Sequence, residues 1–442
     1  MDRFLSALRS GLGRAPALAI AAILAAAGCG TSTAPAPSGG TGPMIVGILA
    51  PFTGADAALG PAYFAACLPA VRAINASGGV NGRTLSCKQF DTRGDPADAV
   101  PAVRAMIAGN TNLFMVIGCT SDEAASVMPI LEQSHIPAFC QTGQSEFDKS
   151  NFKYFHRLVP PDAYDAYGMV GIAYFKDNYK KIALVFGNDI GSQTFVGPAT
   201  TAIQKLGGQM VINQAIALGQ PSYRTEVQAL INTHPDVILT EALGSTDATY
   251  LSELKQLNGG MIPVIGSSAT IDPVWFKAVS DAIGVPDLVK YYQANDTPTD
   301  FKGPGYDEFK TNLLASAGDF ANAPKYVTRA STIHLYDGVI MTALAATSAK
   351  STDHTVFNPW IIKVGNGGSG ATEVNKYSDG IAALKSGKAV RFNGAGGATF
   401  FNQYNNSQGG YIIANYDAQG NEVVAGQLSQ DQINQIIKLA GA

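Results

Sequence analysis

The sequence predicts an α/β protein built on doubly wound parallel sheets, and two observations predict it. From Met44 onward, short apolar runs of buried-strand length alternate with segments of helical periodicity. The same alternation starts again near Lys181, so a second series of elements follows the first. Met44-Ile45-Val46-Gly47-Ile48-Leu49-Ala50 opens the first series, and Pro51-Phe52-Thr53-Gly54 punctuates its end. Over residues 61–74 the apolar positions Tyr63, Phe64, Cys67, Leu68, Val71 and Ile74 recur at spacings of three and four, giving a helix one face to bury. Pro69 is expected to kink that helix. Gly78, Gly79 and Gly82 then end it, because glycine takes left-handed backbone geometry without a Cβ clash. Residues 84–91 return as strand, Asp95-Pro96 opens the next helix, and strands near Phe114 and Pro137 complete the series.

In the second series, residues 181–186, 208–217, 237–241 and 263–266 read as strands, with helices over 164–178, 195–206, 223–233 and 247–257. Between the two series, Val159-Pro160-Pro161-Asp162 forms a link stiffened by consecutive prolines. Residues 365–370 match a dinucleotide fingerprint in form, but no βαβ unit with an acidic residue follows, so the stretch reads as a loop.

Hydrophobic residues make up 46% of the 442, enough for ordinary globular cores. The net charge of -4 and the 14% charged content leave no basic footprint for nucleic acid and point to a small partner. Arg3, Arg9 and Arg14 precede an apolar stretch over residues 17–27, too short to span a bilayer comfortably, and small residues follow before Cys29. Residues 1–29 therefore read as an export signal, and residues 30–43, rich in Thr, Ser, Pro, Ala and Gly, as a flexible linker. Cys67, Cys87, Cys119 and Cys140 make an even number in an exported chain, with three possible pairings. Cys67 with Cys87, and Cys119 with Cys140, is the favoured one, since the latter two end adjacent predicted strands. The alternative is four buried free thiols. The histidines are dispersed without metal-ligand spacing, so neither metal nor cofactor is expected. There is no Gly-x-Ser-x-Gly elbow, zinc signature or Walker loop, and no histidine signal accompanies Cys119 or Cys140, so the chain does not read as an enzyme.

Gly47-Ile48-Leu49-Ala50-Pro51-Phe52-Thr53-Gly54, residues 73–83 and Asp91-Thr92-Arg93-Gly94-Asp95-Pro96 closely resemble the extracytoplasmic binding proteins of branched-chain amino-acid ABC transporters. Val116-Ile117-Gly118, Ile136-Pro137-Ala138-Phe139, residues 155–160, 181–185 and 235–239 continue the resemblance in order, strongly to about Ala282 and weakly beyond. Leu24-Ala25-Ala26-Ala27-Gly28-Cys29 likewise resembles a bacterial lipobox, with Ala26 where leucine is usual; ordinary secretion with cleavage nearby is the alternative. The resemblance implies a type I periplasmic-binding-protein fold, two doubly wound parallel-sheet lobes joined by a three-crossing hinge. Residues 44–159 would form lobe one and 160–291 lobe two, with 292–408 returning to lobe one and 409–442 ending in lobe two. It also implies a monomer anchored outside the cell by lipidated Cys29, which passes a small solute to ABC permease subunits served by cytoplasmic ATPases. A ligand sensor or receptor lipoprotein of the same fold is the alternative.

In open parallel sheets ligands bind beyond the carboxyl ends of the strands, which selects loops carrying Phe52, Ser121 and Asp122, Thr142, Gly143 and Gln144, Ile190, Glu241 and Asp247, and Ser268. Ser121 and Asp122 precede a helix, whose free N–H groups could hold a ligand carboxylate or simply be capped by these residues. In amino-acid-binding relatives, serines or threonines matching Ser121 and the region of Thr142 to Gln144 hold that carboxylate. Here Cys140-Gln141-Thr142-Gly143-Gln144 replaces the family's Ser-Pro-Ser-Ala-Thr, Ile190 stands for a covering aromatic residue, and Ser268 falls where an acidic residue receives the α-ammonium. Losing that carboxylate argues against a standard aliphatic α-amino acid unless Asp122, Glu241 or Asp247 compensates. Tyr63, Tyr164, Tyr167, Tyr250 and Trp275 are further candidates to wall the cleft, or else ordinary core aromatics. Asp337 reads as structural.

Overall fold

The computed structural model describes residues 42–54, 56–297, 302–407 and 411–440; the export signal, Cys29 and the linker to residue 41 lie outside them. The first series folds as β1 (Met44–Ala50), α1 (Leu59–Ala76), β2 (Leu85–Asp91), α2 (Pro96–Gly109), β3 (Leu113–Thr120), α3 (Ser121–Gln133), β4 (Ala138–Gln141) and β5 (Phe155–His156). Its strands pair in parallel in the order β2-β1-β3-β4-β5. Every residue of β3 is buried, as expected of a strand covered on both faces. Strand order reverses between β1 and β3, and there the chain is pinched. Gly118, at φ 111°, lies so near β1 that a Cβ would meet Leu49 O at 2.3 Å. Only glycine fits this approach, and it turns Thr120 and Ser121 into the crevice mouth.

The chain then builds α4 (Asp162–Gly171), β6 (Lys181–Gly187), α5 (Ile190–Gln193), α6 (Val196–Lys205), β7 (Gln209–Ile216), α7 (Arg224–Ile231), β8 (Val237–Glu241), α8 (Gly244–Asn258), β9 (Val264–Gly266), α9 (Pro273–Ile283), α10 (Val285–Tyr291) and β10 (Tyr292–Asp296). The expected return to the first lobe at residue 292 falls later. Tyr292 and Ala294 pair with Val264 and Gly266 of β9 in parallel register, so β10 is a strand of the second sheet. Its buried Tyr292 packs against Trp275, with ring centroids 4.7 Å apart and the rings tilted by 36°. The polar sequence Gln293-Ala294-Asn295-Asp296 concealed this strand from periodicity.

Residues 302–407 pack on the first sheet. They form α11 (Pro304–Ala315), α12 (Ala330–Ser348), α13 (His354–Asn366), β11 (Thr372–Val374), α14 (Tyr377–Lys385), β12 (Val390–Gly394) and β13 (Gly397–Ala398), the three strands making a small sheet of their own. Helix α12 is buried along most of its length and shares a core with β1 and α1. Asp337 on it accepts the N–H groups of Ala395 and Gly396, both at 2.8 Å, and so pins the turn after β12. Residues 365–370 are the end of α13 and a loop. The chain re-enters the second sheet as β14 (Ile412–Tyr416), antiparallel to β10, and closes with β15 (Glu422–Gln427) and α15 (Gln430–Ala440). The finished order is β15-β14-β10-β9-β8-β6-β7.

Two disulfides bind the first lobe. Cys67–Cys87 ties α1 to β2, and Cys119–Cys140 ties β3 to β4 just below the crevice. Each closes a loop of about 20 residues and contributes about 3 kcal/mol on the chain-entropy model. Replacing Cys119 and Cys140 together by serine is expected to cost about 2–5 kcal/mol in denaturant unfolding. An unchanged midpoint would contradict this role.

Candidate ligand-binding cleft

The carboxyl ends of both sheets face one cavity of about 240 Å³. Of the residues singled out from sequence, Ser121, Asp122, Gly143, Glu241 and Ser268 line it. The other five lie elsewhere. Thr142 is fully buried behind the wall, accepting from Ser121 Oγ at 3.2 Å and donating to Gln144 Oε1 at 3.2 Å. Beneath this loop the wholly buried Arg157 pairs with Asp148 at 2.5 Å and donates to the carbonyls of Thr142 and Gln144. Thr142 and Gln144 therefore shape the loop instead of meeting the cavity. Phe52 packs on Gly60 in the first-lobe core, and its N–H donates to Asp91 at 2.9 Å. Ile190 turns outward at 50% exposure while its neighbour Gly191 lines the cleft. Asp247 is buried behind the second-lobe wall, accepting from Thr240 Oγ1 at 3.1 Å and Trp275 Nε1 at 2.9 Å. Of the aromatic candidates Tyr63 and Trp275 line the cavity, whereas Tyr164, Tyr167 and Tyr250 do not.

Gly143 serves by what it lacks. A Cβ there would stand 1.8 Å from Asp162 Oδ1, and the Asp162 N–H donates to Gly143 O at 2.7 Å. The first-lobe loop is thus joined to the residue that begins α4.

Across the cleft stands Asp165, which sequence reasoning missed. Ser268 donates to its Oδ2 through Oγ at 2.7 Å and through N–H at 3.1 Å, while Asn295 donates to Oδ1 at 2.8 Å. A carboxylate from α4 thus stands beside position 268, on a helix whose Asp162 and Asp165 read in sequence as ordinary first-turn acids. Asp56, Asp189, Asp272, Asp296 and Phe195 also line the cavity without having been anticipated, as do Arg329 and His334. The lobes touch directly. Gly191 N–H donates to Asp122 Oδ1 at 2.9 Å, and Arg329 at the start of α12 forms an ion pair with Asp272 at the start of α9. Both members of that ion pair are almost completely buried.

The cavity is electrostatically one-sided. Eight carboxyl groups line it against Arg329, already paired with Asp272, and His334, which burial keeps neutral with a pKa of about 4. Burial raises Asp56 to about 7, assisted by Asp122 and Asp189, and Asp56 shares a hydrogen bond with Asp122. Burial likewise raises Asp162 to about 7, Asp165 to about 6 and Glu241 well above the usual range, the last reinforced by Asp162. Among the described residues, no group of three or more His, Cys, Asp or Glu is arranged to hold a metal.

These carboxyls bind protons more tightly folded than unfolded, so they withdraw stability as pH rises toward 8. The buried His156 and His334, at about 4, and the likewise lowered His354 act in the opposite sense, an effect that fades above their unfolded value of 6.5. Between pH 6.5 and 8 the raised carboxyls outweigh what remains of it, and the melting temperature of ligand-free protein is expected to fall, less steeply in Asp162→Asn. A flat or rising wild-type profile over that window would contradict the assignment.

Residues 43–421 match the model of the periplasmic binding protein family. An amino acid binding protein of Pseudomonas aeruginosa is 24% identical over 207 residues, covering 44% of this chain; the match spans about half (52%) of that relative's length. The branched-chain amino acid transporter substrate binding protein LivJ of Streptococcus pneumoniae, solved with isoleucine, superimposes with a TM-score of 0.70 at 16% identity, over 87% of this chain and 99% of its own. The leucine binding protein LivK of Thermotoga maritima gives 0.68 at 15%, over 88% and 99%, and a solute binding protein of R. palustris solved with benzoate gives 0.67 at 16%, over 87% and 96%. The order of the strands, the cavity at their carboxyl ends and the family match agree: the chain belongs to the periplasmic binding protein family and has its type I fold.

Proposed function

We propose that the protein is an extracytoplasmic solute-binding lipoprotein, anchored through Cys29, that captures a small polar molecule between its lobes and hands it to an ABC importer with permease and ATPase subunits. Its lobes are residues 44–159 with 302–407, and residues 160–297 with 411–440, among the described residues. The observation that carries the reading is the pair of contacts, Asp122 to Gly191 and Arg329 to Asp272, that bridge the lobes beside the cavity. Such contacts form only when the cleft is shut. A solute touching both walls shifts the population from open to closed by its differential affinity for the two states, and a permease reading the closed form can tell loaded protein from empty. The relatives solved with isoleucine and benzoate support solutes of the size of an amino acid, or of a related amide or carboxylate.

Thermal-shift screening of refolded, ligand-free protein identifies a ligand, and solution scattering then tests the mechanism. A tight ligand is expected to reduce the radius of gyration, and identical curves with and without it would contradict capture by closure. Arg329→Gln leaves Asp272 buried without its cation and is expected to weaken ligand binding by about tenfold or more. Adding Asp272→Asn, which keeps the helix cap, is expected to restore part of that loss. Unchanged affinity in the single variant would exclude the ion pair from closure.

A further inference from the structure

The chemistry of the cavity wall narrows the solute, on the reading that a solute is captured between the lobes. The first-lobe wall is acidic. At the start of α3 the Thr120 N–H donates to Glu123 Oε1 at 3.2 Å, so a carboxyl side chain stands beside the first N–H groups of the helix. Ser121 Oγ has its proton directed at Thr142, and the carboxyls of Asp122 and Asp56 face the same space. An anion placed there would meet like charge in a largely buried site. On the second-lobe wall, Glu241 lines the cavity with Oε2 buried and without a hydrogen-bond partner, an acceptor without a donor.

The remaining wall is aromatic. Tyr63, Phe195 and Trp275 line the cavity, and Trp275 donates its Nε1 hydrogen to the buried Asp247. That hydrogen bond to a carboxylate enriches the electron density of the indole face, and electron-rich faces attract cations. The cavity's one arginine is engaged by Asp272, so the protein brings no free cation of its own to the carboxyls. At about 240 Å³ the space lies below the ~300–1,000 Å³ of pockets for drug-sized ligands.

We propose that the cleft selects a small organic cation, an amine or quaternary ammonium with no free carboxylate, held between Glu241 and Asp122 beside Trp275. The solute then supplies the charge that allows carboxyls of both lobes to be buried together. This departs from the amino-acid and carboxylate class, and it gives the acidic wall and the unbonded Glu241 oxygen one common purpose.

The test is calorimetric titration of the refolded, ligand-free full chain with choline and 1,4-diaminobutane as cations. The neutral isostere 3,3-dimethylbutan-1-ol, the zwitterions glycine betaine and leucine, and benzoate serve as competitors in chemistry. At least one cation is expected to bind about 100-fold more tightly than the isostere and glycine betaine. Glu241→Gln is expected to weaken that binding by about tenfold, and Asp122→Asn to do so independently. Both variants remove an acid that a bound cation would ionise, without changing shape, and circular dichroism checks that each is folded. Binding of glycine betaine, leucine or benzoate as tight as that of the cations overturns the selectivity, and so does the absence of cation binding at millimolar concentration. Scattering separates the two readings: a zwitterion or anion that binds and compacts the protein refutes the cation but leaves capture standing. A cation that binds without compaction upholds the site and refutes capture by closure.

Discussion

Shutting the cleft forces like charges together, and the rest of the molecule is arranged around that constraint. Asp56 and Asp122 come from the first lobe, Asp162, Asp189 and Glu241 from the second; Asp189 raises the proton affinity of Asp56 and Asp122 across the gap, while Asp162 and Asp189 raise that of Glu241 within their own lobe. Buried charge without a partner is expensive, so the shut state needs protons or a compensating cation. Arg329 compensates Asp272 alone. What remains unbalanced is the free energy through which a solute can couple its own binding to closure.

The scaffold gives those charges fixed positions. The Cys119–Cys140 disulfide and the close approach of Gly118 to β1 hold the first-lobe mouth, while buried Arg157 holds the neighbouring loop from below. In the second lobe, Asp165 is fixed by Ser268 and Asn295, and Asp272 caps α9 through Val274 and Trp275. Carboxylates held on such rigid mounts cannot relax far from one another.

The sheet of the first lobe was legible because β1, β3 and their helices are apolar with clear periods, and the rule of strand carboxyl ends located the mouth loops at Ser121, Gly143, Glu241 and Ser268. What escaped was contributed at a distance. β10 hid because Gln293, Asn295 and Asp296 are polar, although Asn295 and Asp296 are buried. Asp165, Asp189 and Asp272 sit in helix first turns or at helix caps, where an acid is the ordinary choice and announces nothing. Thr142, Gln144 and Asp247 failed as wall residues for the converse reason: polar side chains at strand ends have also to satisfy their own loops, here through Ser121, Arg157 and Trp275. Arg329 and His334 reach the cleft from α12 and the turn before it, more than two hundred residues from Ser121, with no local pattern to mark them.

A crystal structure of the protein with the solute it retains from cells tests the account most directly. The account predicts density inside the cavity with a cationic nitrogen within ion-pair distance of Glu241 or Asp122. A solute seated outside the facing lobes, or one directing a carboxylate at the start of α3, would contradict it.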